Sequence, residues 1–440
     1  MSPRTGSAVV LGDTEVARRT CAALGERGYV VTHLIEPSDA DLRAALRADV
    51  AAVAVLIHGD ITALRYALLV EHLSPGIRLV VTLFDRTVAG ELLRVVPNCQ
   101  ITSPADVSVP SIIGACLGAP VLAVDPAGVM LVDTGDGVTT RRWRTAEPWH
   151  RRASRTLAAQ ARAHDVTSRM LRTGGVGLLA TLVAEWLLAT LVFGLPATDA
   201  LHLATRITAG VGPTHDGHAP AWYPVVSSAG MVLTIGFTAL FTAGLVHRSL
   251  STRSVGMVGP RTMPTSDHVV VVGLGQVGLR LAMALRGLSI PVLVVERDPA
   301  AANLRLAKAA GIPVLIAHAQ DRAVLDRLRL GRARALAAMS AHDLDNVEVA
   351  IAALATAPDL RVVLRAGDDD VIAETRSLFP IGDICDVSSL TTHAVAAGVD
   401  GRSPRFVYAH DRRIIEHPAP DHTPAPSSGP ESIERCPHWQ

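Results

Sequence analysis

The sequence predicts two doubly wound, parallel-sheet α/β domains flanking a pair of transmembrane helices, and three observations carry that prediction. Val269-Val-Val-Val-Gly273-Leu-Gly275-Gln-Val-Gly278 is a run of strand formers that passes into a glycine-rich loop and then into a helical pattern. Upstream lie two apolar runs, Gly174 to Leu195 and Val225 to Val246, the second free of any charge. Near the N-terminus, Ala8-Val-Val-Leu-Gly12-Asp-Thr14-Glu-Val-Ala17 repeats the strand and loop with the second and third glycines replaced.

Composition narrows the classes. At 440 residues the chain has room for about three domains. Its 41 basic and 41 acidic residues cancel, so there is no global basic field and nucleic acid is not expected as a partner. The 5 cysteines lack CxxC spacing, which points away from a zinc site or a disulfide framework. The N-terminus lacks a basic segment followed by an apolar stretch, so no secretory signal is expected there.

Residues 7–120 read as the first α/β lobe. Glu36 follows Gly12 at nearly the separation of Glu296 from Gly273, and PGIRLVVTLFDRTVAGELLRVVP, from Pro75, aligns with PDLRVVLRAGDDDVIAETRSLFP, from Pro358. Thr14 puts a Cβ and a hydroxyl where a pyrophosphate requires bare backbone. This lobe is therefore expected to be a scaffold copy with weak or absent dinucleotide binding. Residues 121–172 form a connector with a β-like stretch, Val129 to Val132, and an Arg-rich helix from Pro148 to Arg172. The basic face of that helix suits either anionic headgroups or plain solvent.

Residues 173–248 are the transmembrane unit. At about 1.5 Å per residue each apolar run matches a hydrocarbon core of about 30 Å. Arg162, Arg169 and Arg172 precede the first run, Arg248 and Arg253 follow the second, and only Arg206 lies between them. That asymmetry places both termini on the cytoplasmic side of the plasma membrane. Glu185 is costly at bilayer depth, and several roles suit it: a partner for Arg206, a titrating site, or a carboxylate that snorkels or faces the bundle.

Between the runs, Asp199-Ala-Leu-His-Leu-Ala-Thr-Arg-Ile predicts a short helix with Asp199 in its first turn. Thr208-Ala209-Gly210-Val211-Gly212 follows, a string that an ordinary outer-face turn also explains. In this position it resembles the re-entrant pore of two-span potassium channels, because Thr205, Thr208, Gly210 and Gly212 match the T-x-x-T-x-G-x-G skeleton. The resemblance implies an ion pathway of Thr205, Thr208, Ala209, Gly210, Val211 and Gly212 that carries a potassium ion along the axis of a homotetramer. Ala209 and Val211 depart from the usual valine and aromatic residue, Pro213 from the usual acid, and Arg206 adds positive charge beside the path.

After a linker, residues 249–267, the chain alternates strands and helices from 268 to 399. Strands are predicted at His268–Val272, Pro291–Val295, Pro313–Ala317, Ala335–Met339 and Arg361–Arg365. Helices are predicted at Val277–Leu288, Ala300–Ala310, Ala323–Leu328 and Asp343–Ala355. With Glu296 about 20 residues beyond the glycines, this is a Rossmann-like opening. Gly273 permits the turn, Gly275 admits a pyrophosphate, Gly278 lets helix touch strand, and Glu296 accepts from ribose hydroxyls.

The order GLGQVG, ERDP, GIPVLIAHAQD, RARALAAMSAHDLDN, DLRVVLRA resembles the lobe that regulates potassium conductance (RCK, or TrkA-N). The resemblance extends to the first lobe as a degenerate copy. It implies bound NAD or NADH, alternatively ATP or ADP, held by Gly273, Gly275, Gln276, Val277, Gly278, Glu296 and Arg297. His318 stands where the family has G-D-A, which weakens adenosine contacts there. Ser340 and Arg365 lie at carboxyl ends of later strands, as ligand contacts or as simple strand ends.

Residues 400–440 read as a disordered tail, which leaves little room for a substrate domain, so neither catalytic residues nor enzyme activity is expected. The whole resembles a bacterial potassium channel gated by dinucleotide on its RCK lobes. One alternative is a membrane-anchored, non-conducting nucleotide sensor that regulates another potassium transporter. A membrane NAD(P)-dependent oxidoreductase is the weaker one.

Overall fold

The computed structural model describes residues 6–47, 49–144, 166–211, 220–250, 263–264, 266–366, 382–410 and 413–418. The expected linker, the Arg-rich stretch before 166, Gly212, Pro213 and the chain beyond 418 lie largely or wholly outside them.

The first lobe alternates β1 (Ser7–Leu11), α1 (Glu15–Glu26), β2 (Val30–Leu34), α2 (Asp39–Ala45), β3 (Val50–Val55), α3 (Asp60–Leu73), β4 (Arg78–Thr82), α4 (Arg86–Val95), β5 (Cys99–Thr102) and α5 (Pro104–Leu117). Its sheet runs β2-β1-β3-β4-β5, all parallel. Continuous apolar strands such as Val50-Ala-Ala-Val-Ala-Val suit a sheet covered on both faces.

The second lobe contains β9 (Val269–Val272), α9 (Gln276–Gly287), β10 (Val292–Glu296), α10 (Leu304–Ala309), β11 (Val314–Ile316), α11 (Arg322–Leu328), β12 (Ala335–Ala338), α12 (Asp343–Thr356), β13 (Val362–Ala366), β14 (Asp383–Asp386) and α13 (Val387–Val399). Its parallel sheet runs β11-β10-β9-β12-β13-β14, a doubly wound order that reverses beside β9. The elements expected between 268 and 366 are all present, shifted by a few residues at their ends. The first lobe is not a full copy. Its chain passes from α2 directly into β3, which pairs with β1 as β12 pairs with β9, so the first sheet has no counterpart of β11.

The lobes exchange their last helices. Ile112, Ile113 and Cys116 of α5 are buried with Val269, Val271, Val292 and Ala335 of the second sheet. Val395, Ala396 and Val399 of α13 are buried with Ala8, Val10, Ala52 and Val80 of the first. Polar contacts hold the exchange at its rim: Arg19–Asp386 at 2.9 Å, Arg27–Asp400 at 2.8 Å, and Arg78 donating to Val399 O at 3.0 Å.

Between the first lobe and the membrane pair lies an antiparallel sheet of β6 (Val121–Val124), β7 (Val129–Asp133) and β8 (Val138–Arg142), of which only the middle strand was legible. The disordered tail expected from residue 400 is corrected as far as residue 418. Pro404–His410 (β15) and Arg413–Pro418 (β16) form a hairpin, with Phe406 and Tyr408 buried against Ala123 and Leu131, and Arg405 paired to Asp125 at 2.7 Å. Two aromatic side chains leaving water stabilise what its polar, Pro-rich flank disguised.

The apolar helices are α6 (Val166–Phe193) and α8 (Tyr223–Leu250). Met170–Phe193 and Tyr223–Val246 have the length and composition of membrane spans, with mean hydropathies of 2.1 and 1.9. The first ends two residues before the predicted Leu195, at Gly194 with φ +63° ahead of Pro196. The pair packs by small residues meeting large ones. A Cβ on Gly174 would lie 2.7 Å from Phe241 N, and one on Gly177 2.3 Å from the Phe237 ring. Val176, Leu179, Leu191, Val232, Leu233 and Ile235 point outward and exposed. That is an arrangement for an apolar surrounding and not for water.

Candidate nucleotide site

The four valines of β9 are buried, and the strand delivers Gly273 with φ +94° at its carboxyl end. A Cβ on Gly273 would stand 2.9 Å from Ser340 N, and a Cβ on Gly278 2.0 Å from Gly273 O. No side chain fits at either place. Gly275 is the opposite case: a Cβ there meets nothing within 4 Å. It is the N-cap of α9 and offers no side-chain cap, so the first-turn N–H groups of that helix have no capping side chain. Bare donors and the positive end of the helix dipole suit a phosphate.

Glu296 closes β10 beside this loop. Its carboxylate accepts from Leu274 N at 2.6 Å and Asp298 N at 2.9 Å, joining the glycine loop to the loop after β10. A carboxylate has about four lone-pair sites, so ribose hydroxyls still find acceptors. Asn303 Nδ2 donates to Leu274 O at 3.0 Å and fixes the loop from the other side.

Ser340 follows β12 and Arg365 lies near the end of β13. Between them sits Asn346, a residue the sequence reading did not single out. Its Oδ1 accepts from Ser340 N at 2.8 Å, and its Nδ2 donates to Ser340 O at 3.1 Å and Arg365 O at 2.9 Å. One buried amide thus clips the carboxyl ends of two strands together. The asparagine in Asp343-Leu-Asp-Asn346 was the only signal, and its spacing resembles any polar first helical turn. The Arg365 guanidinium reaches Ser340 O at 3.5 Å, and burial holds its pKa below the usual arginine range against the opposing pull of Asp343. Arg297 is exposed and 3.7 Å from Asp345, while His318 is exposed just beyond β11, at the margin of the cleft.

The first lobe repeats the turn but closes the site. A Cβ on Gly12, φ +127°, would stand 2.2 Å from Leu56 O. Thr14, in the place of Gly275, accepts from Ala17 N at 3.1 Å and donates to Leu56 O at 2.9 Å. A side chain thus caps the helix start that is bare in the second lobe.

Thr205 and Thr208 belong to α7 (Ala197–Thr208), where their hydroxyls donate back to helix carbonyls, Thr205 to His202 O at 2.8 Å and Thr208 to Ala204 O at 2.8 Å. Ala209 is helical, Gly210 has φ +76°, Gly210 N donates to Ile207 O at 2.9 Å, and Val211 N to Arg206 O at 3.0 Å. This pair of bonds is a Schellman cap. Ala209, Gly210 and Val211 therefore end a helix in this structure, and Gly212 lies outside the described residues.

Fold and glycine loop define a class: a doubly wound, Rossmann-like lobe in a chain that also carries two apolar helices of membrane-span length. A TrkA-N domain profile matches residues 269–379, a quarter of the chain. The chain is 33% identical over 111 residues to a putative K(+) efflux antiporter, KefB, of Alkalimonas amylolytica, a match covering 25% of this chain and 16% of that protein. Among solved structures it is similar to the GsuK channel, with 12% identity, 96% of this chain and 75% of that one covered, and a TM-score of 0.49. A GsuK channel bound to NAD is similar too, with 13% identity, 91% and 64% covered, and a TM-score of 0.47.

Proposed function

We propose that this chain is a membrane protein of potassium transport, regulated by NAD or NADH bound to its second lobe. The observation that carries the nucleotide half of this reading is the uncapped helix start at Gly275, where a Cβ would meet nothing, framed by two glycines that cannot take a side chain. Gly273, Gly275, Gln276, Val277 and Gly278 cradle the pyrophosphate, Glu296 takes ribose hydroxyls, and Ser340 and Arg365 close the far wall. Arg297 and His318 touch the ligand at the rim. ATP or ADP would use the same phosphate cradle. The matched TrkA-N segment and the potassium antiporter relative support the transport half.

In this reading the spans cross the plasma membrane, both termini are cytoplasmic, and four chains surround an ion path at Thr205 to Gly212. Nucleotide shifts the path by its different affinity for two lobe arrangements. A second reading, a non-conducting sensor acting on a separate transporter, is favoured by the cap at Gly210. There the backbone of Arg206 and Ile207 is engaged in closing a helix.

The test is potassium flux into liposomes carrying the purified full chain, with NAD, NADH, ATP and ADP in turn. A nucleotide-dependent flux that Gly275→Ala abolishes supports the channel. Nucleotide binding without flux under any condition overturns it in favour of the sensor.

A further inference from the structure

Glu185 lies in the inner stripe of α6, on the surface that meets α8. The residue is 7% exposed, although most of both helices is open to the surroundings, and its Oε2 has no hydrogen-bond partner. The opposite wall is shaped for it. A Cβ on Gly230 would fall 2.5 Å from Glu185 Oε1, so the carboxyl occupies the volume that any side chain at 230 would need. Ser227 and Thr234, one turn to either side of Gly230, are buried but engaged elsewhere, Ser227 donating to Pro224 O at 3.2 Å and Thr234 to Gly230 O at 2.9 Å.

Among the described residues no positive charge pairs with the group. From α8 the titratable group facing it is the Tyr223 phenol, which lies within electrostatic range. The ionisable groups of α7 are Asp199, His202 and Arg206, and none makes a hydrogen bond or ion pair to Glu185, so of the roles left open by the sequence the pairing with Arg206 is not the one this structure adopts. An ionised carboxylate with an orphaned oxygen between two apolar helices is unfavourable, because neither water nor a counter-charge solvates it. A neutral carboxylic acid carries its own O–H donor and removes that charge.

We propose that Glu185 is an intramembrane proton-binding site in the α6–α8 pair. The closely packed pair is the protonated form. Release of the proton leaves a carboxylate that must be hydrated, and hydration requires the helices to part around Gly230. Neighbouring Ser227 and Thr234 then turn from their own backbone to the anion. The site is independent of whether the chain conducts.

The test uses the full chain in lipid nanodiscs. Infrared spectra at neutral pH show a protonated-carboxyl carbonyl band in the wild type that Glu185→Gln lacks, and spin labels on the outer ends of the spans separate at high pH in the wild type alone. Absence of that band at neutral pH, or identical separation in both proteins, overturns the site. Gly230→Ala provides the second arm. It lowers thermal stability by collision with the carboxyl, and adding Glu185→Ala restores it; failure of the rescue removes the cradle on which the site depends.

Discussion

Gly275 and Gly278 stand three residues apart and make opposite demands on a side chain. An alanine at 278 is driven into Gly273 O, 2.0 Å from its Cβ, so Gly278→Ala is expected to cost about 1–3 kcal/mol of stability, measured as a lower denaturant midpoint. An alanine at 275 meets only open space, so the fold stays unchanged and nucleotide affinity falls about tenfold or more by calorimetry. The spacing of the glycines was legible in the sequence, and so was the acid at Glu296. Asn346 was not, because its work is a tertiary clip between strands that are neighbours only in the folded sheet.

His268 belongs to the same scale. It is fully buried at the start of β9, its Nε2 donating to Leu328 O at 3.0 Å, and burial depresses its pKa. The folded state then refuses a proton that the unfolded chain accepts below about pH 6.5. Stability is full above that value and declines as pH falls below it. Thermal melts between pH 8 and 5.5 check this, and His268→Gln, which keeps a donor for Leu328 O, flattens the dependence.

At the scale of elements, the exchanged helices decide how the lobes behave. Ile112 of α5 is chemically part of the first lobe's sequence and physically part of the second lobe's core. Ile112→Ala is expected to cost about 2–5 kcal/mol. Hydrogen exchange then shows lost protection in β9 and β12 as well as in α5, whereas self-contained lobes would confine the loss to the first. Neither helix was singled out in the sequence, where periodicity is the main guide. It carries no information on which sheet a helix covers, so the exchange was hidden, as was the missing edge strand of the first lobe. The tail hairpin was hidden for a related reason: Phe406 and Tyr408 find their partners in β6 and β7, far away in sequence.

For the whole molecule, α9 links the candidate ligand to the partner lobe. Its first turn follows the glycine loop, and one turn later Arg280 donates to Phe84 O at 2.9 Å, just beyond β4, and lies 3.5 Å from Asp106 of α5. Burial lowers the Arg280 pKa, with Asp106 opposing. Arg280→Ala is therefore expected to leave nucleotide affinity within about twofold while reducing nucleotide-induced change in the first lobe, read by hydrogen exchange at α5 and β4.

In the proposed function one nucleotide site is open in the duplicated pair, bare at Gly275 and filled by Thr14 in the twin. Calorimetric titration of NADH into the full-length protein in nanodiscs tests it most directly. One equivalent per chain is predicted, with binding weakened by Gly275→Ala and unchanged by Thr14→Ser. Two equivalents per chain, or binding indifferent to Gly275→Ala, would contradict it.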